Sequence, residues 1–399
     1  MDIRYILVTI LLATFIYRGV NLLRNYNAVR KLGLPIFFSP VSWLDSWWPL
    51  LAPVLQPLKS LPGCSWIGYS SFGWMIEDRY KTHNRLGPAF VLVTPQKNDI
   101  FVSDPEACME ILTTWRVWTK PQEIFRMFEI FGKNTLSTNG DEWQRHRKLM
   151  AYGFKESIVR TAWDEAIRQS EGLSKDWGSK KEIFLSKVIY DCSVLALNVV
   201  SATGFGTRND FDSTSFRAPD PGHQLSYYES LRTILENIMV TILFDSLVAP
   251  SWLLPALLRK LKLATKEFRK YTQETIDKER EQLKAGADER ANLSAIFVRA
   301  NEKEKEVKNT NVRGVLSDSE LLGNIFLIAM AGHETTAGAF SYSLPMLAAH
   351  PETQEWVIEE VDNAFANDKD YSRVYPRLVR CQAVMVSPSF DTTAAIHLS

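Results

Sequence analysis

The sequence predicts a mainly α-helical fold with a small β-sheet, preceded by an N-terminal membrane anchor. Three observations support this class. An uncharged apolar run opens the chain between Tyr5 and Tyr17, and two short strand-like segments follow at residues 90–94 and 99–102. Helical periodicity dominates nearly everything after them. We find no internal repeat and no low-complexity tract that would change this class.

The composition narrows the class of protein further. The chain of 399 residues carries 46 basic and 46 acidic side chains, so its balanced charge gives no electrostatic case for a nucleic-acid partner. Its 12 tryptophans and 21 phenylalanines suit a large core or an apolar ligand chamber. The four scattered cysteines suggest neither a disulfide framework nor a zinc cluster, and they fit a reducing compartment. We predict no metal-ligating residue.

Residues 1–24 are predicted to form a transmembrane anchor. The apolar run between Arg4 and Arg18, extended to Leu23, approaches the roughly 20 residues that a bilayer span needs. A secretory signal peptide is the alternative, but no small-residue cleavage site follows and most basic residues lie after the run. These basic residues favour a cytoplasmic position for the rest of the chain.

Residues 25–62 are interpreted as a Pro- and Trp-rich linker. Pro49, Pro53 and Pro57 exclude one regular helix. Its Trp and Leu side chains would suit a membrane surface. Ordinary packing against the following domain explains them equally well, so both interpretations stay open.

The main domain is predicted to cover residues 63–385, and residues 386–399 are predicted to form a tail outside it. A helix is expected at 65–86, the two strands follow, and Asp104 should cap a helix that begins at Pro105. Four further helices are expected, at residues 157–173, 182–203, 227–244 and 257–285. Between them, Phe125, Phe128 and Phe131 would suit a loop that lines an apolar pocket, although core packing explains them nearly as well.

The segment 140–150, GDEWQRHRKLM, could bind an anion. Trp143 and Arg147 are four residues apart and share a helix face. Together they offer an indole N–H and a guanidinium, which suit a carboxylate or a phosphate. A solvated basic face is the alternative that this segment alone leaves open.

The helix at residues 317–350 is the strongest candidate for a functional element. Ser317 and Glu320 form a capping-box pattern at its start. Its middle, AGHETTAG at 331–338, contains glycines, threonines and an acid where a buried helix favours Leu or Ala. A conflict of this kind between local preference and fold often marks a functional site.

Three chemical interpretations of this stretch compete. A zinc-protease HExxH helix requires a second His where the chain has Ala337, so that interpretation is excluded. A serine hydrolase requires a G-x-S-x-G elbow, which does not occur in the chain. In the third, the helix opens locally, Glu334 and Thr335 pass protons to an oxygen species above a cofactor, and Ala331 and Gly332 leave space for it.

The sequence resembles cytochrome P450 monooxygenases of the membrane-bound eukaryotic type. AGHETT at 331–336 is similar to the A/G-G-x-D/E-T-T signature of the family's long distal helix, and Trp143-x-x-x-Arg147 is similar to its W-x-x-x-R helix. The N-terminal anchor, the Pro-rich linker, the early sheet and HPETQEW at 350–356 follow in the family's order. The fold expected from the resemblance is an incomplete P450-like fold.

The resemblance implies a function and a set of site residues. The expected cofactor is haem b, and the expected reaction is hydroxylation of a small apolar organic substrate with dioxygen and electrons from NADPH-cytochrome P450 reductase. The expected location is the endoplasmic reticulum membrane. Glu334 and Thr335 would act in catalysis. The cofactor-binding residues would be Trp143, His146, Arg147, Ala331 and Gly332.

The chain also departs from the family pattern. No E-x-x-R motif occurs from Val374 onward, and no cysteine lies in the Gly-rich loop that carries the family's thiolate ligand. Cys381 lies just before the expected E-x-x-R position and is not expected to replace that ligand. These departures predict a C-terminally truncated chain that is inactive as an oxygenase. The alternative function is a non-catalytic, membrane-anchored helical remnant or binding protein.

Overall fold

The computed structural model describes residues 3–45, 47–71, 73–179, 182–211, 218–244, 250–286, 292–307 and 315–386. The predicted tail at 386–399 therefore lies, except for Val386, outside the described residues. The predicted class is confirmed, because helices dominate and a small sheet lies early in the chain. The strands are β1 (Ile36–Phe38), β2 (Ala89–Val93) and β3 (Asn98–Val102). The helices are α1 (Ile3–Val29), α2 (Trp48–Leu55), α3 (Trp66–Tyr69), α4 (Trp74–Asp78), α5 (Lys81–Leu86), α6 (Pro105–Thr113), α7 (Gln122–Phe125), α8 (Gly140–Ala151), α9 (Glu156–Gly178), α10 (Leu185–Phe205), α11 (Tyr227–Glu236), α12 (Ile238–Phe244), α13 (Ala256–Lys284), α14 (Leu293–Val307), α15 (Asp318–Ala349), α16 (Pro351–Phe365), α17 (Tyr371–Val374) and α18 (Val379–Val386).

The chain divides into two compact units, residues 1–118 and 119–399. In the first unit the strand order is β1-β2-β3, with β1 parallel to β2 and β2 antiparallel to β3. The predicted β2–β3 pair is confirmed to within one residue. Strand β1 was not predicted, because its three residues lie inside the Pro-rich segment and are too few to show a period.

Helix α1 continues past the predicted anchor. Its first part exposes apolar side chains that include Leu11 and Phe15, whereas Val29 near its end is buried against Val91 and Val93 of β2. Residues 25–29 are therefore the last turn of α1 and not a linker. Among the described residues, α10 passes a length and hydropathy test for a membrane span, but 61% of its apolar window is buried, as in the core helix of a globular protein.

Part of the segment 25–62 is buried inside the first unit, which favours packing within the domain over a linker on a membrane surface. Trp48 is buried against Val41 and Ile67, and its indole N–H donates to the Ser70 carbonyl oxygen at 2.9 Å. The helix expected at 65–86 is instead three short helices. The left-handed backbone at Gly73 separates the last two of them from α3, and a positive φ at Arg79 lies between α4 and α5.

The core of the second unit is centred on α10 and α15. Helix α15 is continuous over 32 residues, and Ser317 and Glu320 form the predicted capping box. Phe131 is enclosed between the rings of Phe268 and Phe326, which supports the core-packing interpretation of this residue. The helix expected at 227–244 is interrupted at Asn237, between α11 and α12.

The loop before α8 contacts α15 backbone to backbone. A Cβ atom added at Gly132 would lie 2.1 Å from the Ser319 carbonyl oxygen, and one added at Gly323 would lie 2.4 Å from the Gly132 carbonyl oxygen. The loop and the helix can approach so closely only because both contact residues are glycines, which have no Cβ atom. This contact fixes the loop that leads into α8 against the first turns of α15.

Candidate functional site

A cationic cluster forms where α8 meets the irregular segment between α6 and α7. The Arg147 guanidinium carbon lies 5.3 Å from the centre of the Trp143 ring, and the Lys120 ammonium nitrogen lies 5.8 Å from that ring. The Lys120 ammonium donates to the Thr135 carbonyl oxygen at 2.5 Å, and burial lowers the pKa of Lys120 to about 8. An anion beside this cluster would offset the cost of desolvating the ammonium. We refer to Lys120, Trp143 and Arg147 as the cationic cluster.

Sequence reasoning found Trp143 and Arg147 but missed Lys120. The two α8 residues share a helix face, so their spacing reveals them. Lys120 comes from a distant, irregular segment, and no local pattern links it to α8. Only the tertiary fold brings its side chain to the Trp143 ring.

The structure does not bring His146 to this cluster. Its side chain is fully buried, its Nδ1 lies 2.8 Å from Asn324 Nδ2, and its Nε2 lies 3.4 Å from a Glu320 carboxylate oxygen. Since neighbouring helix positions differ by about 100°, His146 faces α15 while Arg147 is exposed. The structure thus places the His146 side chain against α15 and away from the cationic cluster, and its predicted cofactor role stays a prediction.

His146, Glu142 and Glu320 bring potential metal-ligand atoms within 4.8 Å of one another. Arg145 already occupies this space, because its guanidinium lies 2.5 Å from Glu320 and 3.7 Å from Glu142. Burial alone would raise the pKa of Glu320, but hydrogen bonds from His146, Ser317 and Arg145 hold it far below its usual range. The group is an ion-pair cluster that contains its own cation, and a divalent ion would have to displace Arg145.

One face of α15 changes from buried to exposed along its length. Glu320, Asn324, Ile328, Ala331 and Thr335 follow one another at helical spacings of three or four and therefore lie on one face, which we call the α15 stripe. Its first two residues contact α8 residues through polar side chains. Ala331 and Thr335 are exposed. A ligand held by the cationic cluster could lie against this exposed part of the stripe.

The two predicted catalytic residues are both accessible. Glu334 and Thr335 are exposed, and the Thr335 hydroxyl donates to the Ala331 carbonyl oxygen at 2.6 Å. The helix runs through this point without a break, so the local opening predicted from the sequence is absent. The threonine hydroxyl donates its hydrogen to a carbonyl oxygen of its own helix, and the lone pairs of its oxygen can still accept a hydrogen bond.

Gly332 packs against α10 and does not belong to the exposed part of the α15 stripe. A Cβ atom at this position would lie 3.2 Å from Val200 of α10, so the glycine allows α10 and α15 to approach closely. His333 faces α10 too, with Nε2 3.0 Å from the Ser193 hydroxyl oxygen, and burial lowers the pKa of its imidazole. Ala331 is exposed whereas Gly332 lies against α10, and the prediction that the two leave space for a ligand stays a prediction.

The cysteines of the second unit are thiols. Burial raises the pKa of both Cys192 and Cys381 to about 11, so neither is a thiolate at neutral pH. The described residues of this unit thus fit two parts of a planar, anionic cofactor. The cationic cluster suits its carboxylates, and the exposed α15 stripe suits one face.

Comparison with known proteins gives a consistent result. The family model described as Cytochrome P450 matches residues 65–377. The chain is similar to "Cytochrome P450 monooxygenase ORF6" of Penicillium roqueforti (29% identical, covering 90% of this chain and 63% of the relative). It is also similar to the "Phomenoic acid biosynthesis cluster cytochrome P450 monooxygenase" of Leptosphaeria maculans (26% identical, 97% and 70%).

A solved structure is similar in fold. It is described as "Retinoic acid bound cyanobacterial CYP120A1", and it aligns with a TM-score of 0.54 at 19% identity over 88% of this chain and 67% of the other. At this identity the match supports the fold alone. The chain spans 63–65% of the length of several of the fungal relatives that it matches.

Proposed function

The chain belongs to the cytochrome P450 family, and from this premise we propose that it binds haem b between the cationic cluster and the exposed part of the α15 stripe. The observation that carries the proposal is the cluster of Lys120, Trp143 and Arg147, which presents two cations and an indole in the same unit as the stripe. The haem carboxylates suit these donors. The small side chain of Ala331 suits a flat apolar ring.

We propose a monooxygenase reaction on a small apolar organic substrate as the activity of the family to which the chain belongs, and the inactivity predicted from the missing E-x-x-R and thiolate-loop motifs stays a prediction. When bound, haem supplies the redox chemistry with which the family uses dioxygen and reductase electrons. The chain's own residues would transfer protons. Glu334 is exposed and can exchange protons with solvent, and Thr335 can turn its hydroxyl hydrogen from the Ala331 carbonyl oxygen toward a ligand on the open face.

The proposed setting is the endoplasmic reticulum membrane, with NADPH-cytochrome P450 reductase as the electron donor. The exposed apolar side chains of α1 support a membrane partner, since so large an exposed apolar surface is unusual on a soluble monomer. The reductase and the substrate class follow from the family. A non-catalytic helical binding protein would not require the exposed Glu334 and Thr335.

A haemin titration of the full chain in detergent tests the proposal. We expect saturable binding that weakens about tenfold or more in Arg147→Gln, because a hydrogen bond between charged groups contributes about 1.5–3 kcal/mol. Lys148→Gln is the matched control, since Lys148 is the next residue of α8 and pairs with Glu304 instead. Equal affinity of the two variants, or no binding by the parent chain, would contradict the proposal.

A further inference from the structure

A buried amide joins the loop before α8, helix α8 and helix α15. Asn324 is fully buried, and its Oδ1 accepts from the Thr135 backbone N–H at 2.9 Å and from the Thr135 hydroxyl at 2.8 Å. Its Nδ2 donates to the Glu320 carbonyl oxygen at 2.7 Å and faces His146 Nδ1 at 2.8 Å. Three separate segments thus meet at one side chain.

This arrangement determines which ring nitrogen of His146 carries the proton. A backbone N–H can only donate, so Thr135 fixes the Asn324 oxygen on its own side and the amide nitrogen on the side of His146. His146 Nδ1 must then accept a hydrogen bond. The ring proton lies on Nε2, which points toward Glu320 at 3.4 Å. A metal ion bound to Nε2 would require the ring proton to be on Nδ1. That N–H would then face the N–H of Asn324, so two donors would oppose each other, which is a second reason against a metal site here.

The Asn324–His146 contact lies between the two parts of the proposed haem site. On α8, Trp143 is one turn before His146 and Arg147 is the next residue. On α15, Ala331 and Thr335 follow Asn324 on the same stripe, about 10 Å and 16 Å further along the axis at 1.5 Å per residue. If α8 moved along α15, the cationic cluster would therefore move relative to Thr335.

We propose that Asn324 and His146 are positioning residues whose hydrogen bond sets the register of α8 on α15, and thereby the distance from the cationic cluster to Ala331 and Thr335. An apolar pair would fill the same space but would fix the register less firmly, because it lacks directional contacts. The contribution to haem placement rests on the proposed function. The register itself does not depend on it.

The first test uses no haem. The chain has six histidines, so the ring signals of selectively ¹⁵N-labelled chain can be resolved, and His146→Gln identifies that of His146. We expect the parent ring to carry its proton on Nε2. In Asn324→Asp a carboxylate would face Nδ1, and we expect that nitrogen to become protonated. A purely space-filling role for Asn324 would leave the ring signal unchanged.

The same samples report on the register through amide hydrogen exchange. In Asn324→Asp we expect the amides of α8 to exchange at least tenfold faster than in Asn198→Asp. This control is matched, because Asn198 is also buried and donates through Nδ2, but to Gln169 of α9. Asn324→Ser is a second variant. Its side chain is too short to reach both Thr135 and His146, so exchange in α8 should rise as it does in Asn324→Asp.

A haemin titration completes the experiment. We expect about tenfold weaker binding in Asn324→Asp than in Asn198→Asp. A parent ring protonated on Nδ1 would overturn the inference, as would equal exchange in α8 and equal haemin affinity in the two Asp variants. If the parent binds no haemin but α8 exchange differs as expected, the proposed function fails and the register role stands. If the parent binds haemin and neither variant changes exchange or affinity, only the register role fails.

Discussion

Lys120 holds an ammonium group in a partly desolvated position. Its pKa is lowered to about 8 from 10.5, so between these values the folded chain binds fewer protons at this site than the unfolded chain. Stability rises with pH where the unfolded state binds more protons. We therefore predict that the parent gains stability relative to Lys120→Met between pH 8 and pH 10.5.

Denaturant midpoints of both chains at pH 7, 9 and 10 measure this difference. The sign follows from burial alone and needs no cofactor. A difference that stayed constant over this range, or that fell as the pH rose, would contradict a desolvated Lys120.

The hydroxyl of Thr335 has a close counterpart on the same helix. Ser343 is half-buried and likewise donates to the carbonyl oxygen four residues before it, at 2.8 Å. We predict that Thr335→Ala lowers the amount of product formed per NADPH consumed in a system reconstituted with the reductase, because proton delivery loses its hydroxyl. Ser343→Ala should leave this ratio unchanged. Equal ratios in the two variants would argue against a proton role for Thr335.

Some of the candidate site residues stand out in the sequence and others do not. Glu334, Thr335, Trp143 and Arg147 can be singled out because each is costly or unusual at its position. The direction in which His146 points depends on which face of α8 meets α15, and no local pattern contains that information. Gly332 presents a related difficulty, since a glycine can admit either a ligand or a neighbouring helix.

Two glycines of helix α15 offer a direct comparison at the scale of the element. At Gly323 a Cβ atom would lie 2.4 Å from a backbone oxygen, whereas at Gly338 it would meet nothing within 4 Å. We predict that Gly323→Ala destabilises the chain by about 1–3 kcal/mol through overpacking. Gly338→Ala should stabilise it by about 0.5–1 kcal/mol, because alanine restricts the unfolded chain and favours helix.

Urea unfolding of both variants beside the parent measures these effects. Opposite signs are the expected result. A neutral or stabilising effect of Gly323→Ala would show that the contact between Gly132 and Gly323 does not constrain α15.

Local signals defined helix ends well and short elements poorly. Asp104 accepts from the Ala107 N–H at 2.8 Å, and Ser317 forms its capping box with Glu320, both as the sequence predicts. These caps involve neighbours only three residues apart. Continuous helices were expected across Gly73, Arg79 and Asn237, where the structure has breaks.

At the scale of the whole molecule, the proposed membrane location rests on the exposed apolar side chains of α1. We predict that Leu11→Arg combined with Phe15→Arg releases the chain from membranes, since each central Arg costs about 2.5–3.5 kcal/mol in a span. Leu112→Arg combined with Val117→Arg is the control, because these residues are also exposed and apolar but lie outside α1.

Carbonate-washed membrane fractions of cells that express each chain measure the release. The parent and the control should remain in the pellet, and the α1 variant should appear in the supernatant. Recovery of the parent in the supernatant, or the same distribution for both double variants, would contradict a membrane role for α1.

The contact between Gly132 and Gly323 has a consequence for how this protein can diverge. Side-chain contacts elsewhere can be exchanged in compensating pairs, so the walls of a binding chamber can change shape gradually. A contact between two backbones contains no side chain that a compensating substitution could replace. This crossing would therefore act as a fixed reference point while the surrounding residues evolve toward new substrates.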